Sequence, residues 1–157
     1  MSIPFSRTRN VELSVIEAIE TAINASWSGV TVVKAFLQAY SSPIPVICVR
    51  MLSVASSRLE IGGNTLAQEY SFIIDIFARS DGQRIDLADF IVNTIKEGFV
   101  FNQYSRASGN PETLNKVVDG RITFLVIDSD SRIDGNDSDD EHDRYRQSIT
   151  FTVAKND

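Results

Sequence analysis

The sequence predicts an α+β fold: a two-layer sandwich in which two helices lie on one face of a mainly antiparallel sheet, with a projecting β-hairpin. Three observations lead there. Two stretches carry apolar residues at helical spacing, several others carry strand patterns, and consecutive strands are joined by turns too short for crossovers. A sheet with one apolar face needs a cover, and two amphipathic helices supply it.

The first helix is read from Val11 to Ala25, where Val15, Ile16, Ile19 and Ile23 share a face and Glu12, Glu17 and Glu20 fall elsewhere. Asn10 is the expected cap, and the early acids suit the positive end of the helix. Trp27 reads as a lid on the core, and Gly29 closes the region. Val30 to Leu37 then reads as a strand, Ser41-Ser42-Pro43 as a break and Val46 to Leu52 as a second strand.

Arg58-Leu59-Glu60-Ile61 leads into Gly62-Gly63-Asn64, a turn whose glycines can take the positive φ angles of a tight hairpin. In the run from Thr65 to Arg79, Tyr70, Phe72, Ile74, Ile76 and Ala78 point one way. Glu69, Ser71, Asp75 and Arg79 point the other, interrupted by Ile73 and Phe77. Extended at about 3.3 Å per residue, the run is roughly 50 Å long, beyond the usual strand of about 5 or 6 residues. Part of this hairpin, residues 58–79, must therefore project past the core. Leu59, Ile61 and Leu66 cannot all be buried by such an arm within its own subunit, so Arg58, Leu59, Glu60, Ile61 and Leu66 are the expected docking residues for a neighbouring subunit or another protein.

A second helix is read from Asp81 to Glu97, with Ile85, Ala88, Ile91, Val92 and Ile95 on one face, Ser80 or Asp81 as cap and Gly98 as terminator. Residues 99–120, which include Gly109-Asn110-Pro111, read as a loop with one short turn. Arg121 to Ile127 and Tyr145 to Val153 read as a second hairpin around an acidic loop, 128–143.

At 157 residues the chain fits one domain, 1–157, and with 43% apolar and 23% charged residues it can build a core without disulfides. The longest apolar runs, Val46 to Val49 and Phe124 to Ile127, fall far short of the roughly 20 residues that cross a bilayer. No membrane segment is expected. The first seven residues lack the apolar stretch of a signal peptide, and the single cysteine fits synthesis in a reducing cytoplasm. The net charge of −6 is local: residues 128–143 hold eight acids against Arg132 alone, which leaves the rest of the chain close to neutral. A neutral body has no basic stripe for holding phosphate backbones, which argues against tight nucleic-acid binding.

The acidic loop matches part of a calcium-binding pattern. Asp130, Asp134, Gly135 and Glu141 occupy positions 1, 5, 6 and 12 of an EF-hand loop. Arg132 puts a cation where an oxygen ligand belongs, Asp137 replaces the usual apolar residue, and the flanks are strands, so an electrostatic loop is the expectation and no metal site is assigned. His142 is the only histidine, and its acidic neighbours favour its protonated form. Cys48 sits in an apolar strand, as a small buried thiol does. Asp86 and Asp89 fit the outer face of the second helix, and no Walker loop, dinucleotide fingerprint, nucleophile elbow or Cys/His spacing occurs. No catalytic residue and no cofactor are expected.

The order of elements, together with Leu59-Glu60-Ile61-Gly62, Tyr70 to Arg79 and Asp81-Gly82-Gln83-Arg84-Ile85-Asp86-Leu87-Ala88-Asp89, resembles the tail terminator (minor tail, tail-completion) proteins of long-tailed bacteriophages. Pro43-Ile44-Pro45-Val46 approaches the first strong strand and Tyr145-Arg146 opens the last, as in that family. The likeness is one of layout and covers about residues 10–153. It implies a structural virion protein assembled in the host cytoplasm: a homohexameric ring that caps the tail tube, stops its polymerisation and offers a joining surface to the head. Implied partners are further copies of the chain, the tube protein and the head–tail connector, with DNA passing through the channel unbound. Asp134, Asp137, Asp139, Asp140 and Glu141 would then form an acidic loop facing solvent or the lumen, where like charge keeps DNA from sticking. Two other readings stay open, a neck or head-completion adaptor of the same phage class and a small calcium-dependent binding module.

Overall fold

A computed structural model describes residues 2–107, 110–134 and 140–155. The fold is mixed α and β, with a curled, mainly antiparallel sheet and two main helices. The strands in chain order are β1 (Ser2–Pro4), β2 (Thr31–Val33), β3 (Val46–Arg58), β4 (Leu66–Phe77), β5 (Phe99–Ala107), β6 (Asn110–Ile133) and β7 (Arg146–Ala154). The helices are α1 (Arg7–Ser26), α2 (Phe36–Ser41) and α3 (Asp81–Ile95), and Glu141–Asp143 forms a 3-10 turn. Across the sheet the order is β1-β5-β6-β7-β4-β3-β2, with β2 parallel to β3 and the other neighbours antiparallel.

α1 begins earlier than the apolar pattern suggests. Ser6 caps it, accepting from the Arg9 N–H, while Asn10 is buried one turn inside and accepts from the Tyr104 N–H. Val15, Ile16, Ile19 and Ile23 are buried as the periodicity requires. They meet Tyr70, Phe72, Ile74 and Ile76 of β4, Ile149, Phe151 and Val153 of β7, and Leu87, Ala88, Ile91 and Ile95 of α3. The Phe72 and Phe151 rings stack with centroids 5.4 Å apart at the centre. Burying each such side chain contributes about 1.5–3 kcal/mol, which makes this core the main source of stability. Trp27 lies half-buried at its rim, edge-on to Phe90.

Six sequence expectations need correction. The segment Val30 to Leu37 is a three-residue strand followed by α2, because Phe36, Ala39 and Tyr40 fall at helical spacing and pack with Phe77, Val46 and Cys48. This second cluster uses the alternate residues of β3 and β4, so α2 covers the opposite sheet face from the main core, and helices are not confined to one face. In α3, Ala88, Ile91 and Ile95 are buried as expected, but Ile85 is exposed and Arg84 and Leu87 are buried beside them.

Residues 99–120 are not a loop. They form β5 and the first half of β6, with Phe99, Phe101 and Tyr104 buried; Gly109 lies outside the described residues. The strand expected to end at Leu52 continues to Arg58, past a bulge between Met51 and Ser53. The acidic loop is also shorter than 128–143, since Asp128 to Ile133 belong to β6, which pairs with β5 up to Ile122 and with β7 from Thr123 onward.

Candidate functional site

Among the described residues, the β3 and β4 ladder has no third strand beside it at its far end, beyond a bond from the Lys155 N–H to the Gln68 carbonyl. β7 pairs with β4 only as far as Glu69, opposite Ala154, whereas β3 and β4 stay paired out to Arg58 and Leu66. Residues 59–65 close this two-stranded extension, with Gly62 at φ +84° and the Leu59 N–H donating to the Thr65 carbonyl. Leu59 is 55% exposed and Ile61 completely so, and Arg58 and Glu60 are exposed with them. Leu66 differs from the sequence expectation: it is half-buried within its own chain. The tip thus presents two aliphatic side chains and a carboxylate to solvent.

The acidic segment divides into two parts. Asp130 accepts from Gln147 and Asp134 pairs with Arg132 at 3.3 Å, while Arg132 also approaches Asp81 at the N-terminus of α3. Arg84, buried on α3, joins the same network, donating to Asp81 and to Gln147. Asp130 and Asp134 are therefore spoken for by the chain's own donors and do not converge. Asp140 and Glu141 are exposed at the 3-10 turn. Asp137, Asp139 and Gly135 lie outside the described residues. Among the described residues, no group of three or more His, Cys, Asp or Glu side chains is placed to hold a metal ion.

His142 is not in a solvated loop but buried under α2. Its backbone N–H donates to Asp140 Oδ1, its Nδ1 lies 2.7 Å from the same oxygen, and its Nε2 lies 2.7 Å from the Ser42 carbonyl. Both ring nitrogens face acceptors, which only the imidazolium can satisfy. Burial by itself would lower the His142 pKa, but the Ser42 carbonyl and the Asp140 carboxylate outweigh it and raise it. The His142 N–H groups in turn hold the Asp140 carboxyl below its ordinary range. The Tyr40 ring lies tilted against that of His142, with centroids 5.5 Å apart, and its hydroxyl donates to Asp143 at 2.7 Å; burial and that bond push the hydroxyl up to about 12.

Next to this cluster Asp75, fully buried, accepts from Arg146 at 3.1 Å and faces Arg50 at 3.8 Å. The two guanidinium groups lie 5.0 and 5.1 Å from the Phe36 ring, so α2 supplies the aromatic surface over the ion group. Sequence reasoning missed it. The available signal was an acid, Asp75, inside the apolar alternation of a central strand, since such a carboxylate is paired when buried. Cys48, opposite Asp75, is buried, and desolvation with the nearby carboxylate pushes its thiol up to about 11, which suppresses the nucleophilic thiolate.

α1 and β5 enclose a groove of about 410 Å³ lined by apolar Ala22, Ala25, Phe99 and Val100 and by the charged Glu17 and Arg121. Arg121 donates to the Glu97 carbonyl and, among the described residues, pairs with no carboxylate. Glu17, in the same lining, accepts from Lys116 and Tyr104, which together lower its pKa. Among the described residues no helix is long and apolar enough to cross a membrane. Comparison with protein-family models and with curated protein sequences gives no match, so a functional reading rests on the residues themselves.

Proposed function

We propose that this chain is a structural virion protein, a phage tail terminator whose copies close into a hexameric ring on the end of the tail tube. The ring stops tube polymerisation and offers the head connector its joining surface. In this reading the sheet with α1 and α3 is a two-layer body, and the β3–β4 extension is a projecting hairpin arm. The observation that carries it is that extension: a ladder that continues past its last β7 partner to end in exposed Leu59 and Ile61. An apolar tip on a stiff two-stranded arm gains stability only against another molecule. The acidic segment around Asp134, Asp140 and Glu141 gives the channel a surface that repels DNA as it slides through.

The test is mass and function together. Light scattering over a concentration series, alone and with tube protein, should show mass moving from one subunit toward six, and added protein should stop tube growth in vitro. A strictly monomeric or dimeric species that leaves tube growth unchanged would overturn the reading.

A further inference from the structure

We infer that His142 is a pH-operated latch on α2: its ring, held at both nitrogens, keeps the short helix against the sheet, and loss of the ring's proton lets α2 lift locally while the main core stays folded. The inference concerns a single subunit and stands apart from the ring reading above.

Four observations carry it. The first is how α2 is tied down. Among the described residues, the hydrogen bonds that join residues 36–42 to distant parts of the chain both end on the turn before β7: Tyr40 donates to Asp143, and the Ser42 carbonyl faces His142 Nε2. The second is the ring's place between two acceptors. Asp140 Oδ1 lies 2.7 Å from Nδ1 and the Ser42 oxygen 2.7 Å from Nε2, so a neutral ring, with one N–H, gives up one of the two bonds. The third is that α2 has little of its own to hold it, being six residues long with no side-chain cap from Ala35. The fourth lies under Phe36, whose ring faces Arg50 and Arg146. Asp75 Oδ2 and the Nε atoms of Arg50 and Arg146 are buried and make no hydrogen bond among the described residues, so lifting α2 lets water reach groups that gain from it.

The charged and titratable groups around the ring are Asp140, Glu141 and Asp143 of its own turn, Tyr40 of α2, Arg146 of β7 and, through Arg146, Asp75 of β4 with Arg50 and Cys48 of β3. His142 is the chain's only histidine, and Tyr40 and Cys48 are pushed up to about 12 and about 11, so the proton lost from this group of side chains near neutral pH is the ring's. The latch is closed on the acid side and loosens as pH rises through the raised folded pKa.

Cys48 is a native reporter, since it is buried in the cluster that α2 covers. The test exposes the full chain to dithiodipyridine from about pH 5.5 to about pH 9 and divides each rate by that of the urea-unfolded chain at the same pH, which removes the thiol's own titration. Protection should fall several-fold from the acid to the alkaline end and hardly respond to low urea, as a local opening does. In His142→Gln it should be weak and level throughout. Asp140→Ala, at an exposed position, takes the acceptor from Nδ1 and should lower protection on the acid side; it decides the matter if His142→Gln fails to fold by circular dichroism. No fall in the unmodified chain, or an equal fall in the variants, would overturn the latch. A fall that follows urea with the slope of global unfolding would overturn it too, because the whole subunit would then be opening. Neither result bears on ring formation, which light scattering reads.

Discussion

The carbonyl oxygen of Ser42 lies 2.7 Å from Nε2 of His142, one hundred residues later, and ties the end of α2 to the turn that precedes β7. The other ring nitrogen is held by Asp140. Glu141, Asp143 and Tyr40 are the other titratable groups facing this imidazole, and they add negative charge or a hydroxyl that stays protonated. The folded state therefore prefers the imidazolium more than the unfolded chain does.

A pH dependence follows. Because the His142 pKa is raised on folding, its contribution is complete below about pH 6.5, the unfolded value, and is lost as pH rises through the folded pKa. The denaturant midpoint of the unmodified chain should fall as pH rises above about 6.5 and through the raised folded pKa. His142→Gln, which can donate only from its amide, should show a flatter profile. Parallel profiles for the two proteins would remove the clamp from the account.

Asp75→Asn should be costly. The carboxylate is buried beside Arg146 and Arg50, and Arg146 is itself mostly buried. Removing one partner of a buried ion group leaves uncompensated charge, which costs on the order of 3 kcal/mol. Urea melts should show a lower midpoint with an unchanged slope, and Arg146→Met added to Asp75→Asn should recover part of the loss. A change under about 0.5 kcal/mol would mean that solvent already screens the group.

The residues that were legible in the sequence are those whose partners lie on one apolar face. Val15, Ile16, Ile19 and Ile23 declare α1, and Tyr70 to Ala78 declare β4, because core contact imposes a period on them. The first half of β6 was hidden for the opposite reason. Val117, Val118 and their neighbours are exposed, so no alternation marks them as a strand. α2 was too short to show a period, and Ala35 gives it no side-chain cap. The ion group of Asp75, Arg50 and Arg146 draws on residues 25 and 71 positions from the aspartate, a convergence that only the sheet register creates.

Millimolar calcium should leave the melting temperature where an equal ionic strength of sodium chloride leaves it. Asp130 is occupied by Gln147 and Asp134 by Arg132, and both acids sit at or beside the end of β6 rather than around a shared centre. Binding at 100 times the dissociation constant would add about 2.7 kcal/mol, a shift of several degrees that differential scanning calorimetry resolves easily. Such a calcium-specific rise would favour the calcium-dependent module over the assembly protein.

Shortening the arm separates folding from assembly. Arg58 and Leu66 are the last paired residues of the β3–β4 ladder, so replacing residues 59–65 by Asn-Gly closes the same register with a two-residue turn. The deletion removes the backbone bond from Leu59 to Thr65 and two exposed aliphatic side chains, and it leaves the main core untouched. A shorter loop also lowers the closure entropy, so stability should change by no more than about 1 kcal/mol. Association should suffer far more, because burying Leu59 and Ile61 against a neighbour is worth roughly 1.5–3 kcal/mol each before ordering costs. The shortened chain is therefore expected to be a soluble, cooperatively melting monomer that no longer forms rings, and an assembly assay should give overlong or headless tails. If it unfolds instead, the tip belongs to the folding unit. If it forms rings and caps tubes unchanged, assembly does not pass through Leu59 and Ile61, and the contact must be sought on another face, such as the exposed Val117 and Val118 of β6.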